Sequence, residues 1–296
     1  MNASTEKASL FTVAGRPERS TGRIGALLVE SGRITAEEAE RVMRLQREKG
    51  WRFGDAAVRL GLIARADIEQ VLARQFDFPY VIPGQSRLRG ELVAAYAPFD
   101  PRVETFRALR SHLMMRWFKL DLRLKHLAVV SPHRDEGRSY LAANLAVVFS
   151  QLGERTLLVD ADMRHPRQHV LFGLENRAGL STLLAGRTGL EAIEPIVPLP
   201  GLSVLPAGPI PPNPQELLGR PGFHAFLGEL DKAFDVVILD TPASENSADA
   251  QAVVSRACGA LMVVRRNHTP VRAVKALSTN LVGMGAALMG AVVNTA

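Results

Sequence analysis

The sequence predicts a doubly wound, mainly parallel α/β sheet preceded by a small, mainly helical domain built from a tandem repeat. Three observations carry this. Short apolar runs open the segments 127–139, 156–164 and 234–242, and each stops abruptly in a loop of charged and small residues. A run that is apolar at almost every position reads as a strand buried on both faces, as parallel strands are. Helical stretches alternate with such runs through the second half, which argues βα units. Residues 23–46 also align without gaps on residues 52–75, a constant offset that argues a repeated helical hairpin.

Taken in order, residues 1–20 have no apolar core, so they read as a flexible N-terminus and not as a secretory signal. The repeat domain follows over 21–85. Arg23/Arg52, Gly25/Gly54, Val29/Val58, Gly32/Gly61, Ile34/Ile63 and Gln46/Gln75 recur between the copies. Each copy reads as a short helix ended by glycine and a second helix, which Thr35 with Glu38 caps in copy one and Ala64 with Asp67 caps less well in copy two. Packing explains the apolar spacing; the recurrent Arg-apolar-Gly opening and the terminal glutamine go beyond it. Pro83, Gly84, Pro98 and Pro101 punctuate the next stretch, so 86–102 is expected as a linker and 103–296 as the α/β domain. In 103–113, Glu104, Arg107 and Arg110 fall on one helical face. Strands are then expected at 127–131, 156–160, 202–206, 235–240, 260–265 and 287–294, with a helix over 140–152 closed by Gly153.

Composition bounds the function. A chain of 296 residues, 47% hydrophobic and with both charge signs well represented, is globular. The single cysteine, Cys258, excludes an intrachain disulfide and a multi-cysteine metal site, reads as buried packing, and points to a reducing compartment. No apolar stretch is long enough for a transmembrane segment; 281–293 is too short and glycine-rich. The net charge of +6 lies in the first 120 residues, which hold 20 Lys and Arg against 14 Asp and Glu, while the remainder is balanced. An anionic partner therefore belongs to the N-terminal part, with a solvated basic face as the plain alternative.

The chemistry is expected where strands end. The loop after the first strand leads into a helix, so Asp135, Glu136, Gly137, Arg138, Ser139 and Tyr140 offer backbone N–H groups and a helix N-terminus to a phosphate. It departs twice from the strict pattern G-x-x-x-x-G-K-[ST]. Pro132 stands at the first glycine and Arg138 at the lysine, and arginine's planar fork is not lysine's compact point charge. Asp160, Asp162 and Asp240 close two further strands and, with the Ser139 hydroxyl, suit a hydrated magnesium; turn formation is their ordinary structural role. Ligands of open α/β sheets bind at this edge, which makes it a nucleotide phosphate site. Asn294 closes the last strand there and is expected among the nucleotide-binding residues, and His133 is expected as an exposed loop histidine.

The stretch 104–294 resembles the cytoplasmic bacterial tyrosine kinases of exopolysaccharide chain-length control, of the free-standing EpsG type. The residues that carry this are the Glu-x-x-Arg-x-x-Arg helix at 104–110, Leu-Leu-Val-Asp-Ala-Asp-Met-Arg at 157–164, Val-Ile-Leu-Asp-Thr-Pro at 237–242, and Pro-Pro-Asn-Pro-Gln-Glu-Leu-Leu at 211–218. The resemblance implies a P-loop NTPase fold with ATP and magnesium as cofactors. It assigns Ser139, Asp160 and Asp240 to the metal, Asp160 as base toward a tyrosine hydroxyl with Asp162 beside it, Arg138 to the lysine's place, and Glu104, Arg107 and Arg110 to a homo-oligomer contact. It also implies a membrane polysaccharide co-polymerase as partner, a cytoplasmic place at the inner membrane through that partner, and no DNA or RNA. Ala243 stands where a second proline is usual, and no tyrosine-rich tail follows the last strand.

The repeat resembles the paired 24-residue motifs that bind cyclic di-GMP at the N-terminus of certain type II secretion and pilus ATPases. That implies Arg23, Gly25, Leu28, Gly32, Gln46, Arg52, Gly54, Val58, Gly61 and Gln75 as ligand residues. A docking module whose repeat serves packing is the rival. For the whole chain, the expected function is an ATP-dependent tyrosine kinase modulated by cyclic di-GMP. A catalytically weak ATP-binding switch is the alternative, and a partitioning ATPase is disfavoured by the absence of a second lysine early in the loop.

Overall fold

The computed structural model of the chain describes residues 24–295 apart from 66, 69–70, 72–78, 83, 121–124, 246 and 258. Arg23, Gln75, Pro83 and Cys258 therefore lie outside the described residues. The chain divides into two compact units, at residue 78.

In the first unit, helices Ile24–Glu30, Ala36–Lys49 and Phe53–Arg59 close on a core of Leu28, Ile34, Ala39, Val42, Ala56, Ala57, Ile63 and Val71. Both copies end their first helix the same way. Gly32 and Gly61 take φ of 66° and 67°, the left-handed conformation that a side chain resists. The Thr35–Glu38 capping box is complete, with Thr35 N–H donating to Glu38 at 2.7 Å and Glu38 N–H to Thr35 at 3.2 Å. Copy two makes half of it: Ala64 N–H donates to Asp67 at 2.8 Å, and the other Asp67 oxygen takes Arg33 at 2.7 Å. The recurrent glycines are packing positions. A Cβ on Gly25 would stand 3.1 Å from the Phe53 ring, and one on Gly54 2.9 Å from Ile68.

The second unit is a seven-stranded sheet: β1 (His126–Val130), β2 (Thr156–Asp160), β3 (Glu194–Pro195), β4 (Leu202–Leu205), β5 (Val236–Asp240), β6 (Gly259–Arg265) and β7 (Ala287–Asn294). The order is β3-β4-β2-β5-β1-β6-β7, with every pair parallel except β3–β4. The two-residue β3 has no apolar run and leaves no signal in the sequence. The helix Arg138–Gln151 is apolar on every side and is buried on every side.

The segment 86–102 is not a linker. Leu88, Leu92, Val93, Ala94 and Ala95 enter the same core as that helix. Asn144, buried within it, accepts from Ala94 N–H at 3.0 Å and donates to the Glu91 carbonyl at 3.0 Å. Apolar surface outweighs the turn signals here; Pro98 lies in a turn and Pro101 opens the helix Pro101–Leu120.

Candidate functional site

β1, β5 and β2 are neighbours at the centre of the sheet, and register sets Asp240 beside Val129 on one side and Asp160 on the other. The phosphate loop, which follows β1, thus opens at the same edge as both carboxylates. Gly137, with φ 91°, turns the chain into the helix Arg138–Gln151, and a Cβ there would meet the Asn294 amide.

Arg138 is buried and turned back into the strand ends. Its Nε donates to the Thr241 carbonyl at 2.8 Å, one terminal nitrogen donates to the Ser131 hydroxyl and to the His133 carbonyl at 3.0 Å, and the other lies 3.7 Å from Asp162. The fork that replaces lysine therefore ties the loop to β5. Glu136, also fully buried, holds the loop from within: it accepts from His133 N–H at 3.0 Å and from the Thr269 hydroxyl. Asn294 donates to the Glu136 carbonyl at 3.1 Å, so it serves the shape of the loop. Asp135 takes φ 57°, and the Tyr140 ring packs on Phe106 with centroids 5.8 Å apart. His133, expected as an exposed loop histidine, is only partly exposed and pairs with Glu245 at 2.6 Å.

Asp160 is wholly buried and accepts from the backbone N–H groups of Asp162 at 3.2 Å, Arg167 at 2.9 Å and Gln168 at 2.9 Å. Burial and the neighbouring Asp240 nevertheless push its carboxyl well above the usual range, against the pull of those N–H groups. Asp240 is pushed up to about 6, by burial first, with Arg138, Gln168 and the Ser139 hydroxyl pulling it back. Its Oδ2 takes the Gln168 amide at 2.7 Å; the Ser139 hydroxyl stands near enough to lower its proton affinity but makes no hydrogen bond of ordinary geometry, so the buried Oδ1 has no hydrogen-bond partner. Two adjoining buried carboxylates that resist ionisation, one with an oxygen unused, suit a cation. No group of three or more His, Cys, Asp or Glu among the described residues forms a metal cage. The donor set fits magnesium, which binds through one or two protein ligands and completes its shell with water and phosphate.

The structure thus brings together Arg138, Ser139, Asp160, Asp162 and Asp240, and adds Gln168. The sequence gives no sign of that residue, because a lone glutamine belongs to no pattern and its partner is 72 positions away. Glu104 and Arg107 pair within their own helix, Pro101–Leu120, and Arg110 donates to the Val148 carbonyl at 2.6 Å. In the first unit Leu28 is wholly buried, and a Cβ on Gly25 or Gly54 would meet Phe53 or Ile68. Arg52 and Val58 are exposed, and Gln46 is half-buried.

Comparison with known proteins places this arrangement. The chain is 35% identical over 209 residues to the tyrosine-protein kinase YwqD of Bacillus subtilis, a match that covers 71% of the chain and 87% of YwqD. It is 35% identical over 194 residues to the putative tyrosine-protein kinase CapB of Staphylococcus aureus, covering 64% of the chain and 83% of CapB. Among solved structures, the kinase domain of the Escherichia coli tyrosine kinase ETK superposes with a TM-score of 0.65 at 31% identity, over 69% of the chain and 79% of that domain. No protein-family model matches the sequence.

Proposed function

The chain belongs to the bacterial tyrosine kinases, and from that premise we propose that it binds ATP with magnesium at the carboxyl edge of the sheet and transfers the terminal phosphoryl group to a tyrosine hydroxyl. The observation that carries this is the set of buried carboxylates Asp160 and Asp240 on adjacent strands beside a phosphate loop. Backbone N–H groups of 135–140 would receive the phosphates, with Arg138 fixing the loop's shape. Ser139, Asp240 and Asp160 would hold magnesium, which when bound neutralises charge on the phosphoryl oxygens. Asp160, whose proton affinity burial has raised, would take the tyrosine proton, and Asp162 keeps Arg138 in place. Nucleotide titration with and without magnesium tests the site: binding indifferent to magnesium would refute it.

One observation favours a second reading. Every terminal nitrogen of Arg138 is engaged by the protein, so the cation at the lysine's position is not poised to follow a phosphoryl group. In this reading ATP binding alone drives assembly and a partner reads the assembled state. In either case the partner we propose is a membrane polysaccharide co-polymerase, and the process is control of exopolysaccharide chain length. No helix among the described residues is long and apolar enough to cross a membrane; the membrane location we propose is the one that partner provides.

For the first unit we propose a cyclic di-GMP sensor, supported by the gapless repeat of residues 23–46 on 52–75 with its recurrent arginine and terminal glutamine. The exposed Arg52 and Val58, with Gln46, Arg23 and Gln75, would meet the two halves of the ligand. Calorimetry on the full chain decides it. Heat that falls at least tenfold in affinity for Arg52→Ala supports the sensor, and no heat with wild type at micromolar ligand leaves a docking module.

A further inference from the structure

Gln168 is an uncharged residue beside two strand-end carboxylates; its amide nitrogen is committed twice, while its Oε1 is buried without a hydrogen-bond partner. The side chain is wholly buried at the start of the helix Gln168–Phe172. Its Nε2 donates to Asp240 Oδ2 at 2.7 Å and to the Ser139 carbonyl at 3.2 Å. Both partners accept only, so the orientation of the amide is determined: the NH2 group must face them. The backbone N–H of the same residue donates to Asp160 Oδ2 at 2.9 Å. One residue therefore joins both strand-end carboxylates to the first turn of the helix that carries Ser139.

The consequence lies in what is left over. With Oδ2 held by Gln168, Asp240 retains Oδ1 buried and without a hydrogen-bond partner. We propose that Gln168 is a positioning residue that turns the Asp240 carboxylate so that one oxygen is anchored and the other is presented to magnesium; this rests on the ATP–magnesium reading above. A neutral donor suits the task. Lysine or arginine in the same place would hold the carboxylate and also cancel the charge that a divalent cation needs. An aliphatic residue would leave both oxygens free to rotate, and partners that orient metal ligands typically change affinity 10- to 100-fold when removed.

The experiment uses the full chain, with Mn2+ as a paramagnetic probe for magnesium, titrated by electron paramagnetic resonance in the presence of ADP. Gln168→Leu removes the donor at similar volume, and Gln168→Asn keeps an amide too short to reach Asp240; circular dichroism identifies which variants fold. The expected result is Mn2+ affinity lower by roughly tenfold or more in each folded variant, while nucleotide affinity measured in EDTA stays within threefold of wild type. Mn2+ affinity within twofold of wild type in a folded variant would overturn the proposal alone. Equal loss of Mn2+ and EDTA-resistant nucleotide binding would also overturn it, by reducing Gln168 to general packing. Wild type that binds no Mn2+ with ADP would overturn the proposal together with the reading it rests on.

Discussion

Replacing Asp240 by asparagine should stabilise the nucleotide-free protein while removing its metal site. A carboxyl held at about 6 in the fold against an ordinary 3.8 is a shift of about two units, worth up to about 3 kcal/mol at about 1.4 kcal/mol per unit. The sign follows from the direction. A folded value above the unfolded one stabilises the fold when the group is protonated, and that contribution is lost as pH rises through about 6. Asparagine cannot ionise and escapes this loss. It can keep the Gln168 hydrogen bond through its carbonyl, but places an amide donor where Oδ1 has no partner, at a cost of about 1 kcal/mol. The net gain at pH 7.5 is then about 2 kcal/mol, or roughly 4–8 °C in Tm for a domain of this size. Thermal unfolding followed by circular dichroism in EDTA, between pH 4.5 and 8, measures it. The variant should match wild type near pH 4.5 and exceed it above pH 7. A variant equal to or below wild type at pH 7.5, or a difference that does not shrink toward acid, refutes the reasoning. With magnesium and ATP at about 100 times Kd, only wild type should gain a further ~2.7 kcal/mol.

Arg138→Lys removes the Nε bond to Thr241 and leaves a single nitrogen for the contacts to Ser131, His133 and Asp162, so Tm should fall by several degrees, while turnover is preserved or raised if the loop is a transfer site; complete loss of turnover would give arginine a specific role. Charge reversal in Arg107→Glu places two carboxylates a turn apart on the helix Pro101–Leu120 and should shift an assembled protein toward monomer in light scattering. An unchanged mass would make that helix face a solvated surface.

Much of the fold was legible because its strands are continuous apolar runs and its helices end in glycines. Six of the seven strands stand within a residue or two of their expected places, since burial on both faces of a parallel sheet demands apolar residues throughout. The segment 86–102 reads as a linker because Pro98 and Pro101 are louder in a sequence than the small buried residues Ala94 and Ala95, and the hydrogen bond of Ala94 N–H to Asn144 spans 50 positions. At the site, Asp160 and Asp240 were readable as strand-end carboxylates. Gln168 was not, because its role exists only once three strand ends and a helix are brought together. In the repeat, the resemblance implies Gly25 and Gly54 as ligand residues, whereas a Cβ at either would meet Phe53 or Ile68. A glycine announces close approach without naming what approaches.

The central claim is phosphotransfer at the sheet edge, and the most direct test follows radiolabelled phosphate from ATP to a tyrosine-containing peptide beside plain ATP hydrolysis, for wild type and Asp160→Asn. Wild type should label tyrosine in a magnesium-dependent way, and Asp160→Asn should reduce transfer by at least 100-fold while retaining its fold and the nucleotide binding measured in EDTA. Equal labelling by both proteins would contradict the assignment of Asp160. Nucleotide binding by wild type with no labelling of tyrosine, even with its membrane partner present, would contradict the kinase reading and leave the switch.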